Sequence, residues 1–258
     1  MPTEKRYVRF KGKAGGPAWG LLSGDKVRRI KGNLFGKHAA EGSPVKLSSV
    51  KLLAPAAPPK IFAIGLNYKS HLGTRSAPKQ PEVFYKPVTC VQNPGDPIVL
   101  PANSNNVHYE GELVLVIGKT ASKVSVEDAP QYIFGVTCGN DVSERDWQNG
   151  PEKDLQWWRA KGSDTFGPCG PAVVTGIDYG KALLQTRVNG EVVQKQYTSD
   201  LLFGPAEIVS YISQNVTLQP GDLVFTGTPG TTQKLKAGDV VEVEIEGIGL
   251  LRNPVAAA

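Results

Sequence analysis

The sequence is poor in the features that mark several common protein classes. Only three cysteines occur among 258 residues, Cys90, Cys138 and Cys169. The number is odd and no CxxC pair is present, so neither a disulfide framework nor a thiolate zinc cluster is expected, and a reducing compartment is the natural reading. No stretch approaches the roughly 18 consecutive apolar residues of a membrane span. The first ten residues are charged and carry no apolar signal core. The expectation is a cytoplasmic protein without a membrane partner. Concentrated basic runs are lacking too: the net charge is +5, but Lys and Arg are scattered instead of lining one element with interleaved aromatics. A nucleic-acid groove is therefore not expected.

Hydrophobic residues make up 40% of the chain and charged residues 21%, a composition that folds and buries a sizeable core. The 29 Gly and 20 Pro fall between short runs rich in Val and Ile, which predicts a strand-rich fold with many turns. Residues 7–10, 18–22 and 26–30 read as strands separated by Gly-rich turns, and predict a small N-terminal β-rich domain over residues 1–53. A Pro-rich stretch at 54–59 cannot continue a helix or a central strand and marks the boundary of a larger domain, residues 54–258. Within it, strand patterns fall at 60–65, 98–100, 112–117, 133–140, 185–188, 223–226 and 240–246. Helices are few: a short one over 126–132, and one over 205–214 with Ile208, Val209 and Ile212 on one face. Beyond the alanine tail there is no low-complexity segment, and there is no internal repeat.

The run Tyr109-Glu110-Gly111-Glu112 leads into five consecutive apolar residues. On a strand, positions two apart share a face, so Glu110 and Glu112 aim at one spot and repel unless a cation neutralises them. Two solvated glutamates on an exposed strand edge is the alternative reading. A third acid, Asp141, ends the apolar strand over 133–140, a favourable ligand position beside a loop. Three carboxylates without competing His or Cys make a hard-oxygen site suited to Mg²⁺ or Mn²⁺, with Ca²⁺ also admissible. Beyond Asp141, Arg145 and Gln148 lie three apart and share one helical turn, a guanidinium and an amide suited to a carboxylate or keto group.

Several motifs in series resemble those of the fumarylacetoacetate hydrolase family: Asn67-Tyr68 with His71, the Tyr109 to Glu112 run, Asn140-Asp141-Val142-Ser143 with Arg145, Ala160-Lys161-Gly162, Val188-Asn189-Gly190-Glu191, and Pro220-Gly221-Asp222 with Thr226-Gly227-Thr228-Pro229-Gly230. Each is weak alone; their order from about residue 58 to the C-terminus is specific. The resemblance implies the fumarylacetoacetate hydrolase fold, a β-rich α+β architecture in which a mixed β-sandwich rolls around the metal site, assembled as a homodimer. It implies Mg²⁺ or Mn²⁺ on Glu110, Glu112 and Asp141, and a small 2-keto or 1,3-dicarbonyl acid as substrate. Lys161 would bind the substrate carboxylate or enolate oxygen. Arg145, Gln148 and Thr228 match substrate-contacting positions, and His71 matches the general base, imidazole being the side chain that changes protonation near neutral pH.

One position departs from that pattern. Hydrolytic members carry a Glu three residues after this His, where the present chain has Thr74, which supplies no charge. Glu82 is the nearest downstream acid. The leading expectation is a metal-dependent hydrolase or lyase of an acylpyruvate- or oxaloacetate-like acid acting through a stabilised enolate. The alternative, which Thr74 motivates, is an oxaloacetate-type keto–enol tautomerase or isomerase, which needs no activated water. A catalytically inactive keto-acid-binding protein is the third reading. Pocket walls such as residues 73–80 and 149–155 would set substrate preference.

Overall fold

The computed structural model describes residues 3–12 and 15–258, so residues 1–2 and 13–14 of the expected N-terminal domain lie outside the described residues. Strands dominate, as the turn-punctuated pattern predicts. The first three, β1 (Lys5–Lys11), β2 (Ala18–Ser23) and β3 (Lys26–Gly32), form an N-terminal meander. There follow β4 (Ile61–Gly65), β5 (Glu82–Lys86), β6 (Gly111–Ile117), β7 (Ile133–Asn140) and β8 (Gly167–Thr175). Towards the C-terminus come β9 (Leu183–Val188), β10 (Glu191–Tyr197), β11 (Leu223–Phe225), β12 (Val240–Ile245) and β13 (Gly249–Ala257). Short strands at His38–Ala40, Val45–Lys46, Lys51–Leu53, Val91–Gln92, Ile98–Leu100, Val107–His108 and Ser143–Glu144 complete the sheets. The α-helices are short: α1 (Arg145–Asn149), α2 (Trp158–Gly162) and α3 (Pro205–Ser213). None is long and apolar enough to cross a membrane.

A 13-stranded sheet runs in the order β3-β2-β1-β8-β7-β6-β11-β4-β5 along its main path, and a 5-stranded sheet contains β13-β12-β9-β10. Strand β1 pairs with both β2 and β8, so the N-terminal meander extends the large sheet by main-chain hydrogen bonds. Strand β6 is buried at every position. Its Leu113, Leu115 and Ile117 face the layer between the two sheets, against Leu184, Val243 and Ile245, with α3 closing one side through Ile208 and Ile212. Val114 and Val116 face the other way, against Ile61, Ala63 and Phe225. Period-2 alternation then puts Glu112 and Glu110 on this second face, where the strand runs out of the sheet.

The structure differs from expectation in a few elements. The predicted helix over 126–132 is a single 3-10 turn, Ala129–Tyr132, because Pro130 removes an N–H that an α-helical ladder needs. Strand β8 escapes a pattern reading because Pro168 and Pro171 resemble turn residues; Pro171 is accommodated where the register with β7 shifts, and Pro168 lies beyond the last residue paired with β7, beside Gln92. The alanine tail is the end of β13, anchored by buried Leu251, Asn253 and Val255.

Leu115 is fully buried between the sheets. Leu115→Ala is expected to cost about 2–5 kcal/mol, read as a lowered urea midpoint at unchanged slope.

Candidate active site

Gly111 stands between the two glutamates because nothing larger fits. An added Cβ would lie 2.0 Å from Thr186 Oγ1, across the interface with the second sheet. The backbone there is clamped from both sides: Gly111 N–H donates to Gln194 Oε1 (3.1 Å), and its carbonyl accepts from Thr228 Oγ1 (2.8 Å). Asp141 arrives from the neighbouring strand, since Gly111 pairs with Asn140. Its N–H donates to the Glu110 carbonyl (2.8 Å), while Asn140 Oδ1 accepts from Glu110 N–H (2.8 Å). One oxygen of each of Glu110, Glu112 and Asp141 lies within 4.8 Å of the others. Their relative exposures are 3%, 1% and 1%, which excludes the solvated-edge alternative.

Buried carboxylates this close need cations. Lys161 Nζ bridges two of them, reaching Glu110 Oε2 at 2.5 Å and Asp141 Oδ2 at 2.8 Å. Arg145 Nη2 meets Glu110 Oε1 at 2.6 Å, and Lys86 Nζ meets Asp141 Oδ1 at 2.6 Å. Burial pushes the Glu110 carboxyl up, but the charges of Lys161, Arg145 and His71 overcome this and hold it well below the usual carboxylate range. Glu112 goes the other way. Burial and the charges of Asp141 and Glu110 raise it well above 4.5, and its one hydrogen bond is from Gly227 N–H at 2.7 Å. Gly227 sits at φ +106°, and a Cβ there would meet Asn67 Cβ at 2.7 Å, so this donor requires glycine. An under-neutralised carboxylate beside two others is the donor set a divalent hard cation fits.

Glu110 and Glu112 floor a cavity of about 1080 Å³ whose wall includes His71, Arg145, Gln148, Lys161 and Thr228, with Asp141 beside the two glutamates. The structure thus brings all eight residues singled out in the sequence to one place. His71 Nδ1 lies 2.6 Å from the Gly230 carbonyl, and Nε2 lies 3.7 Å from Glu110 Oε1. Thr74 and Glu82 line the same cavity, but neither side chain hydrogen-bonds His71; a main-chain carbonyl stands where an orienting carboxylate was sought. Arg145 Nη1 donates to Gln148 Oε1 (2.7 Å), fixing the pair on α1, whose first turn is capped by Glu144 accepting from Trp147 N–H (2.7 Å). Thr228 Oγ1 gives its hydrogen to Gly111 and accepts from Gln194 Nε2 at 2.9 Å. Sequence reasoning missed Lys86, Gln194 and Thr232. The last of these accepts from Arg145 Nη2 at 2.8 Å and lies 2.9 Å from His108 Nδ1. Only Lys86 carried a signal, as one of the alternating residues Glu82, Phe84 and Lys86 of β5.

The fold and this site define a member of the fumarylacetoacetate hydrolase family, and the chain belongs to it: residues 60–256 match the fumarylacetoacetate (FAA) hydrolase C-terminal family, and residues 5–55 the family described as Rv2993c-like, N-terminal. Among its relatives, the chain is 41% identical to the Xenopus laevis protein named oxaloacetate tautomerase fahd2, mitochondrial, over 81% of this chain and 69% of that one. A solved 2-hydroxyhepta-2,4-diene-1,7-dioate isomerase from Mycobacterium marinum superimposes with TM-score 0.90 at 41% identity, covering 98% of each chain. A 5-carboxymethyl-2-hydroxymuconate delta-isomerase from Mycobacterium smegmatis gives TM-score 0.91 at 41% identity over 98% and 100%.

The raised Glu112 carboxyl has a signed consequence. Above pH 4.5 the folded cation-free protein keeps a proton that the unfolded chain has lost, so its stability falls as pH rises towards the raised value. A cation that takes Glu112 as ligand expels that proton. Titrating Mn²⁺ over a pH series rising from just above the ordinary carboxylate range, in buffers of differing ionisation enthalpy, should show proton release and tighter binding at higher pH, and Glu112→Gln should abolish the release.

Proposed function

We propose that this protein is a divalent-cation-dependent keto–enol tautomerase or isomerase of a short 2-keto dicarboxylic acid of the oxaloacetate type, in preference to a hydrolase or lyase of such acids. The observation that carries this choice is the setting of His71. Its Nδ1 faces the Gly230 carbonyl, which can only accept, so a proton sits on Nδ1 and Nε2 is turned towards Glu110 Oε1 and the cavity. A carbonyl orients an imidazole without adding the negative charge that would support removal of a proton from water. Moving a proton between the enol oxygen and the carbon α to the carbonyl needs no water: one proton leaves the oxygen, one is added to that carbon as the double bond shifts to C=O, and nothing else is consumed. The tautomerase and isomerase names of the relatives support the same reading.

Charge supports a dicarboxylate. The three acids are matched by Lys86, Lys161 and Arg145, so a divalent cation leaves the site with net positive charge, complementary to a dianion. Mg²⁺ or Mn²⁺, with Ca²⁺ also admissible, would be held by Glu110, Glu112 and Asp141, and supplies Lewis-acid polarisation of the keto oxygen. Lys161 binds the carboxylate or enolate oxygen beside it. Arg145 and Gln148, locked together on α1, present a guanidinium edge to the second carboxylate. His71 Nε2 exchanges the proton at carbon. Thr228 acts mainly through the Gly111 carbonyl it ties down, which keeps Glu110 and Glu112 aimed together. A homodimer is the assembly we expect, to be read by sedimentation.

The test follows enol absorbance and pyruvate release from oxaloacetate in parallel, with Mn²⁺ or Mg²⁺ present. Enol should disappear faster than spontaneously without matching pyruvate, and His71→Asn should lower kcat by about 10²–10⁴-fold. Pyruvate release that keeps pace with enol loss would return the hydrolase or lyase reading. Binding of oxalate without turnover of any keto acid would leave a binding protein.

A further inference from the structure

Lys86 is a fully buried cation to which the chemistry above gives no role beyond charge balance. It ends β5, on the same face as Phe84, and its side chain has no solvent exposure. A lysine in that position keeps its charge only when its three protons are all satisfied. They are: Nζ donates to Asp141 Oδ1 (2.6 Å), to the Phe166 carbonyl (3.2 Å) and to the Lys161 carbonyl, and lies 6.0 Å from the Phe225 ring centroid. One ammonium therefore joins a carboxylate of the candidate cation site to the main chain of Lys161, the residue whose own Nζ holds the opposite oxygen of that carboxylate. The helix approaches β5 closely enough for this because position 162 is glycine; a Cβ there would meet Pro87 Cδ at 2.4 Å.

We propose that Lys86 is a positioning residue: it fixes the Asp141 carboxylate in rotation and locks it in register with α2, so that Asp141 Oδ2 and Lys161 Nζ are presented together to cation and substrate. The proposal rests on the reading that Glu110, Glu112 and Asp141 hold the cation. Geometry distinguishes positioning from simple charge balance. If Lys86 acted by charge alone, removing it would make the site more negative and bind a cation more tightly. If it aims Asp141, removing it frees the carboxylate to rotate and loosens the carbonyl end of α2, and cation binding weakens. Lys86→Arg keeps the charge, but its planar fork cannot place one nitrogen on all three acceptors.

The experiment compares Mn²⁺ affinity by titration calorimetry, and kcat and KM for enol oxaloacetate, in the wild type, Lys86→Met, Lys86→Arg and Lys161→Met, with folding checked by circular dichroism. Both Lys86 variants should bind Mn²⁺ about 10–100-fold more weakly and lose kcat more than KM rises. Lys161→Met, which removes a competitor for the same carboxylates, should bind Mn²⁺ at least as tightly as the wild type and lose substrate binding. Tighter or unchanged Mn²⁺ binding in Lys86→Met, full recovery in Lys86→Arg, or failure of both Lys86 variants to fold would overturn the proposal. Absence of Mn²⁺ binding to the wild type would instead overturn the cation reading. Crystals of Lys86→Met would then decide the positioning claim, with Asp141 rotated if it holds and unmoved if it does not.

Discussion

Three carboxylates buried within 4.8 Å of one another are the constraint on which the rest of this structure turns. Removing an ion of this kind from water has an effective cost of several kcal/mol, and the repulsion within the cluster adds to it. The fold meets the cost with cations fixed by separate elements: Lys86 from β5, Arg145 from α1 and Lys161 from α2. It does so unevenly. Glu110 and Asp141 are paired directly, whereas Glu112 receives one main-chain N–H. The imbalance fits the cluster for an added positive charge better than for a closed structural ion-pair network, and burial keeps that charge little screened by salt.

The sheet architecture makes the cluster possible. A strand buried on both faces can carry carboxylates only where it leaves the sheet, and β6 does so at Glu110 and Glu112 beside the end of β7 at Asp141. The close packing of the second sheet against Gly111 prevents the segment from rotating. Gln194 and Thr228 then tie strand β10 and the loop after β11 to the same peptide units. The aim of the glutamates is thus set by contacts between layers as much as by strand alternation.

Much of this was legible in the sequence. Period-2 alternation places Glu110 with Glu112, an apolar strand ending in an acid points to Asp141, and the ordered motifs gather His71, Arg145, Gln148, Lys161 and Thr228. What was not legible has a common physical cause. Lys86, Gln194 and Thr232 act through partners tens of residues away; strand alternation hints at the face of Lys86, but nothing local distinguishes Gln194 and Thr232 from surface polar residues. The orientation of His71 was also hidden. The sequence shows Thr74 in place of an acid, but the group that faces Nδ1 is the carbonyl of Gly230, and a main-chain atom leaves no mark in side-chain pattern. Strand β8 was obscured by its prolines, which are tolerated because Pro171 falls where the pairing with β7 is irregular and Pro168 lies past the end of that pairing.

The central claim is that Glu110 and Asp141 exchange part of their hold on Lys161 for a divalent cation shared with Glu112, freeing the ammonium for substrate. Anomalous diffraction at the manganese edge, from crystals grown with Mn²⁺ and oxalate, tests it most directly. The account predicts a single ion ligated by all three carboxylates and by oxalate, with Lys161 Nζ moved from Asp141 onto an oxalate oxygen. An ion bound elsewhere, or a Lys161 that still bridges Glu110 and Asp141 with oxalate in the cavity, would contradict it.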